Sequence, residues 1–411
     1  MDDLIIGLDI GSTKVCAIIA ECTDKNTVNV LGVGIAPSGD GVKRGAIVDI
    51  ERTTRAIIDA LEEADKSVAN IVIESAYVGI AGAHINSINS QGVVAIKGNN
   101  QEITSEDIDR AVENAKTAIT IPAHQDIIHI LPREFVVDEQ KEIHNPISMV
   151  GSRLEAHVHI VTGAITAIQN IMKCCANADV KVEELVLQPY ASSLAVLNED
   201  EKKLGVVLVD IGGGTTDVTI FQNGCVIHSG CIDMGGKLIT NDLAVGLKAS
   251  TSVAENLKIK HGVALPNKAD EKLMLKIPVA GGEGSEEYSQ RYLSEIIEPR
   301  LEEIFYEVKN LIDEHVGSPN MIPAGVVLTG GTSLMECCIE QAREILDLPV
   351  RRGTPINVTG IREKVVSPQF ATAIGLIRYG AQNERRAVPE TRRFNSFFDK
   401  IRTAIEKFFT N

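Results

Sequence analysis

Apolar residues in this chain gather first in short runs broken by glycine and polar turns, and only later in helical spacing. Runs at 4–8 and 15–20 flank Asp9-Ile10-Gly11-Ser12-Thr13-Lys14. Far downstream, runs at 204–209 and 218–221 flank Asp210-Ile211-Gly212-Gly213-Gly214-Thr215-Thr216-Asp217. Each set reads as a strand, a tight turn and a strand. A third strand at 28–35 follows the first hairpin, then a helix at 51–65 with Ile57, Ile58 and Leu61 on one face, then a strand at 71–80. The second half repeats the order, with a third strand at 224–232 and a helix from Thr240. The pattern predicts a duplicated α/β fold with little identity between the copies outside the loops.

Two stretches break the repeat. Residues 85–163 predict strands at 93–96, 127–131, 134–137 and 155–161 around a helix at 105–117. Thr104 or Ser105, followed by Glu106 and Asp107, supplies that helix with an N-terminal cap. This stretch reads as a small α+β insert. A second insert, 242–305, reads as mainly helical with a glycine loop at 280–285. Near the end, a strand at 325–329 runs into Gly330-Gly331-Thr332-Ser333 and a further helix, a turn that offers close backbone approach to a flat ligand such as a purine.

The C-terminus has a helical period of its own. Phe394, Phe397, Phe398, Ile401, Ile405, Phe408 and Phe409 fall on one helical face, opposite Asp399, Lys400, Arg402, Glu406 and Lys407. Residues 382–393 are polar, contain Pro389 and four arginines, and read as a linker. An aromatic face beyond a loose linker makes a poor local core and suits a helix lying in a membrane interface. Burial of seven half-covered side chains yields on the order of 5–10 kcal/mol gross, before ordering costs, so one tail binds reversibly.

Composition narrows the classes. The chain has 411 residues, 44% hydrophobic and 23% charged, enough for two domains of ordinary size. A net charge of -16 argues against a nucleic-acid partner, which needs a basic face. The eight cysteines include no Cys-x-x-Cys and read as reduced thiols rather than a zinc site. The acidic start, Met1-Asp2-Asp3, is unlike a secretory signal, and a cytoplasmic body is expected.

The glycine turns carry the chemistry. Successive backbone N–H groups in such a turn make a concave anion site, and two facing turns can clamp a polyphosphate. Asp9 and Asp210, at strand ends, can hold Mg2+ through water, with Asp217 a weaker candidate. Glu255 and Lys258 share one helical face, where a plain surface ion pair is the simple alternative.

These motifs resemble, in kind and order, the phosphate-1, phosphate-2 and adenosine motifs of the actin, Hsp70 and sugar-kinase superfamily, and 371–376 resembles its last connecting helix. Within it the chain resembles the FtsA family of bacterial cell-division proteins. Residues 205–215, 326–331, the run Ile297-Glu298-Pro299-Arg300 and the insert carry that likeness, which spans 3–411. It implies duplicated actin-like (ribonuclease H-like) domains. The first is 1–84 with 164–193 and 361–382, interrupted by the family insert at 85–163. The second is 194–227 with 306–360, interrupted by an FtsZ-binding insert at 228–305. A linker at 383–393 and an amphipathic membrane-targeting helix at 394–411 follow.

The resemblance also implies ATP with Mg2+ as ligands. Gly11, Ser12, Thr13 and Lys14 would meet the terminal phosphates opposite Gly212, Gly213, Gly214, Thr215 and Thr216. Gly235, Gly236 and Lys237 would form an interdomain turn toward ribose or phosphate. Glu255, Lys258, Gly330, Gly331, Thr332 and Ser333 would frame the adenosine. Arg300 and Glu303 fall where the family contacts the FtsZ C-terminal tail, although residues three apart can also pair with each other. Self-association into polymers, an anionic membrane at the cytoplasmic face of the division site, and later division proteins on the 85–163 insert are the other implied partners. No residue declares itself as a base for water, so at most weak ATPase activity is expected. A small-molecule kinase and a pilus-assembly scaffold of the same superfamily are the competing readings. The kinase lacks a carboxylate base for a substrate hydroxyl.

Overall fold

The computed structural model describes residues 4–22, 27–68, 73–97, 100–281 and 284–384; the expected tail helix and most of its linker lie outside them. In the first half, β1 (Ile5–Ile10), β2 (Lys14–Cys22) and β3 (Val28–Pro37) form the meander. The short hairpin β4 (Val42–Lys43) and β5 (Ala46–Ile47) leads to α1 (Ile50–Asp65) and β6 (Ser75–Ile80). Asp49 caps α1 by accepting from Arg52 N–H, and the helix buries Ile57, Ala60 and Leu61.

The insert comprises β7 (Asn86–Ala95), α2 (Ser105–Thr117), β8 (Gln125–Val137), β9 (Gln140–Ile143) and β10 (Arg153–Ala164). Its sheet runs β7-β10-β8-β9, and α2 covers one face through Ile108, Ala111, Val112 and Ala115. The cap expected at Thr104 is present: its N–H and hydroxyl both donate to Asp107, at 2.9 and 2.7 Å. One expectation fails. The strands predicted at 127–131 and 134–137 are a single strand, β8. Pro132 does not split it because the register against β10 shifts between His157 and Val158, and a bulge tolerates a residue with no N–H.

The chain returns through α3 (Ile165–Asn177), β11 (Lys181–Leu187), α4 (Gln188–Val196) and α5 (Glu199–Leu204). The second meander is β12 (Val206–Ile211), β13 (Thr216–Gln222) and β14 (Cys225–Ile232), followed by α6 (Gly236–Gly246) and α7 (Thr251–His261). The second insert is less helical than expected: β15 (Met274–Pro278) and β16 (Ser285–Ser289) form a hairpin before the long α8 (Gln290–Val316). Most of the glycine-rich stretch at 280–285 falls between these two strands in sequence. Then come β17 (Val326–Thr329), α9 (Cys338–Leu346), β18 (Val350–Arg352), β19 (Val358–Gly360), α10 (Arg362–Val365) and α11 (Ala371–Glu384).

The duplication is visible in strand order. The first sheet runs β11-β6-β1-β2-β3-β19 and the second β18-β17-β12-β13-β14. In both, the meander is antiparallel and the two strands beyond its first member are parallel to it. The helices α4 and α11 lie between the halves and share a core with β1, β2 and β12. They cross closely because residue 375 is glycine: a Cβ there would sit 1.8 Å from the Ala191 carbonyl oxygen. Among the described residues no helix is long and apolar enough to cross a membrane.

Candidate functional site

The two hairpins point their turns at each other between the halves. Gly11 N–H donates to Lys14 O and Gly212 N–H to Thr215 O, both at 2.9 Å, so the turns close in the same way. Packing is closest at two glycines of the second loop. A Cβ on Gly213 would meet Thr13 Cγ2 at 2.3 Å, and one on Gly214 would meet Ser12 Oγ at 2.4 Å. A cleft of about 520 Å³ opens here, with Ser12, Thr13 and Lys14 on one wall and Gly213, Gly214 and Thr215 on the other. Gly331 and Thr332 line its far end.

Lys14 Nζ donates to Gln369 O at 2.8 Å and lies 4.1 Å above the Phe370 ring. Thr215 donates its hydroxyl to Asp217 at 3.0 Å. Other expected residues act from behind the lining. Thr216 donates to Met234 O, and the buried Ser333 donates to Gly330 O. The turn Gly235-Gly236-Lys237 braces the second loop: Gly236 N–H reaches Gly212 O at 2.9 Å and Lys237 N–H reaches Gly213 O at 2.8 Å. Lys237 Nζ donates across the gap to Ser12 O.

Glu255 and Lys258 pair at 2.7 Å, as residues three apart can, but the pair is not a solvated one. The Lys258 side chain is 11% exposed. Its ammonium also donates to Thr240 Oγ1 at 2.8 Å and Gly236 O at 3.0 Å, which ties α7 to α6 at the rim of the cleft. Burial lowers its pKa against the pull of Glu255. Arg300 and Glu303 lie on α8, outside the cleft lining, and they too pair; Arg300 Nε also donates to Asp242 at 2.7 Å.

The carboxylates set the electrostatics. Burial pushes Asp9 up to about 7, with Lys14 opposing and Asp210 reinforcing the rise. Asp217 is likewise pushed up to about 7 by burial, and burial raises Asp210 as well. Three acids crowded out of water favour a cation or a proton. Among the described residues no three His, Cys, Asp or Glu side chains converge to cage a metal directly. Asp9, Asp210 and Asp217 all line the cleft, where carboxylates could organise the water shell of a hard dication.

Sequence reasoning missed three residues here. Gln188 Nε2 donates to Asp9 at 3.1 Å, Ser192 donates to Asp210 at 2.7 Å, and Thr372 lies 2.9 Å from the Ser192 hydroxyl. They belong to α4 and α11, so only the crossing of those helices brings them to the loops. No local pattern would have singled them out.

Two family models match. One, described as "Cell division protein FtsA", covers residues 207–375, and another, "SHS2 domain inserted in FTSA", covers 82–162. The cell division protein FtsA of Pseudomonas aeruginosa is 44% identical over 381 residues, 93% of this chain and 90% of that one. Among solved structures, the PilM–PilN type IV pilus biogenesis complex aligns with a TM-score of 0.68 at 16% identity, covering 92% of this chain and 98% of its own. MreB5 of Spiroplasma citri bound to ADP aligns at 0.56 and 13% identity, covering 93% and 98%. Those two likenesses establish an actin-like fold and nothing narrower. The near-full-length match to curated relatives goes further: this chain belongs to the FtsA family of cell division proteins.

Proposed function

We propose that this protein binds ATP with Mg2+ between its two glycine hairpins and tethers FtsZ filaments to the cytoplasmic membrane during septum assembly. The observation that carries the reading is the pair of opposed turns, so close that Gly213 and Gly214 have no room for a side chain. Backbone N–H groups of both turns would grip the phosphates, with Lys14 as the mobile positive charge. Asp9 and Asp210 would organise the water shell of Mg2+, and Asp217 would assist. When bound, Mg2+ neutralises phosphate charge. Glu255, Lys258 and Gly331 to Ser333 would frame the nucleoside. Membership in a cell-division family and the nucleotide carried by the MreB5 neighbour support this assignment.

Tethering rests on the second insert and the tail. Arg300, already engaged by Asp242 and Glu303, would exchange those carboxylates for contacts with the FtsZ C-terminal tail. Phe394, Phe397, Phe398, Ile401, Ile405, Phe408 and Phe409 would enter an anionic membrane surface as one helical face. Polymerisation would multiply weak tails into firm attachment. Titration calorimetry with Mg-ATP tests the cleft, and a flat trace from folded protein rejects it. Cosedimentation with anionic liposomes and FtsZ tests the tether: loss of residues 394–411 is expected to release protein and filament together.

A further inference from the structure

The two residues of the cleft that approach the loops from α4 stand one helical turn apart. Gln188 reaches Asp9 of the first half, and Ser192, four residues on and on the same face, reaches Asp210 of the second. One rigid element thus touches both leading carboxylates. Ser192 is fully buried and donates its single hydroxyl proton to Asp210 Oδ2. Thr372 Oγ1 lies 2.9 Å from the Ser192 hydroxyl and 3.5 Å from the same Asp210 Oδ2, to which it also donates. The result is a short hydroxyl chain in which Ser192 from α4 and Thr372 from α11 both face Asp210 Oδ2. Gly375, one turn beyond Thr372, lets the helices approach closely enough for that chain to form.

We propose that Ser192 and Thr372 are positioning residues for the metal-organising carboxylate, with α4 fixing the spacing between Asp9 and Asp210. The inference rests on the Mg-ATP reading of the cleft. Outer-sphere hydrogen bonds orient the groups that hold a cation or its water, and their loss typically costs about 10–100-fold in metal affinity.

The test compares Thr372→Val, which keeps shape and loses the hydroxyl, with Thr372→Ser, which keeps the hydroxyl, alongside Ser192→Ala. ATP binding is titrated by calorimetry across a series of Mg2+ concentrations and in chelator, with thermal melts as a folding control. Thr372→Val and Ser192→Ala are expected to need about tenfold more Mg2+ for half-maximal tightening, with ATP affinity in chelator changed less than about twofold. Thr372→Ser is expected to track the parent protein. An unchanged Mg2+ requirement in Thr372→Val, or the same rise in Thr372→Ser, overturns the inference. If Ser192→Ala does not fold, the threonine pair decides alone. If the parent protein itself ignores Mg-ATP, the reading of the cleft has failed, a result distinct from equal Mg2+ curves.

Discussion

The first and second hairpins share register and closing bond yet do different chemistry. In β1–β2, Asp9 stands opposite Cys16; in β12–β13, Asp210 stands opposite Asp217. Both partners are buried, and burial pushes the Cys16 thiol up to about 12 and the Asp217 acid up to about 7. Opposite its leading aspartate the first hairpin therefore keeps a protonated thiol, while the second holds a further acid near its ionisation point. The turns differ in the complementary sense. The first carries Ser12, Thr13 and Lys14, and the second is stripped to glycine where Ser12 and Thr13 approach it. Duplication set the geometry twice, and chemistry was divided between the copies.

The comparison breaks most directly if the stripped loop regains a side chain. Gly214→Ala is expected to cost about 3 kcal/mol in urea unfolding, since its Cβ would also press on the Arg44 Cα at 3.1 Å. Adding Ser12→Gly should recover only part of that loss, because the Arg44 contact remains and Ser12 Oγ also accepts from Gly45 N–H at 3.1 Å. Next in size is the charge carried by the first loop alone. Lys14→Met should weaken Mg-ATP binding by about 2 kcal/mol, roughly thirtyfold, whereas Thr215→Val on the opposite turn should cost about 1 kcal/mol or less. Equal effects would mean that the two turns are chemically equivalent after all.

The third strands sharpen the contrast. β3 is paired at its outer edge by β19, but β14 meets the insert through side chains. Ser87 donates to Ser229 O at 2.7 Å, Asn89 to Ile227 O at 2.9 Å, and His159 bridges Asn89 Oδ1 and Ser229 Oγ. Burial, aided by His228, Arg133 and His129, holds the His159 pKa down to about 3. The unfolded chain takes up a proton near pH 6.5 that the folded chain refuses until about 3. The stability from this seam is thus complete above pH 6.5 and falls as pH drops toward 3. Unfolding free energy should decline by about 2 kcal/mol between pH 6.5 and 5 on this account, and His159→Gln should flatten the slope. The smallest effect belongs to the exposed Arg44–Asp233 pair, which joins the hairpin β4–β5 to the loop after β14. Arg44→Ala should change stability by less than about 0.5 kcal/mol.

Much of this was legible in the residues. Alternating apolar runs and glycine turns gave both meanders, because a strand and its turn are specified within a few positions. The cap at Thr104 was readable for the same reason. The bulge at Pro132 was not, since it depends on the register of β10. The burial of Lys258 was not, since α6 supplies its other partners from outside the local sequence. Arg300 was read beside Glu303, and its second carboxylate, Asp242, lies on a different helix.

What the sequence determined by itself was the pair of glycine turns, the repeat that sets them in matching folds, and the apolar spacing at 394–409, a stretch outside the described residues. Each of these is local, a matter of spacing and residue type. The tertiary structure alone decided that the turns face each other at glycine distance, that three aspartates line one cleft, and that α4 spans two of them. Those features arise where segments distant in the chain meet, and burial there changes what a carboxylate or an ammonium group can do.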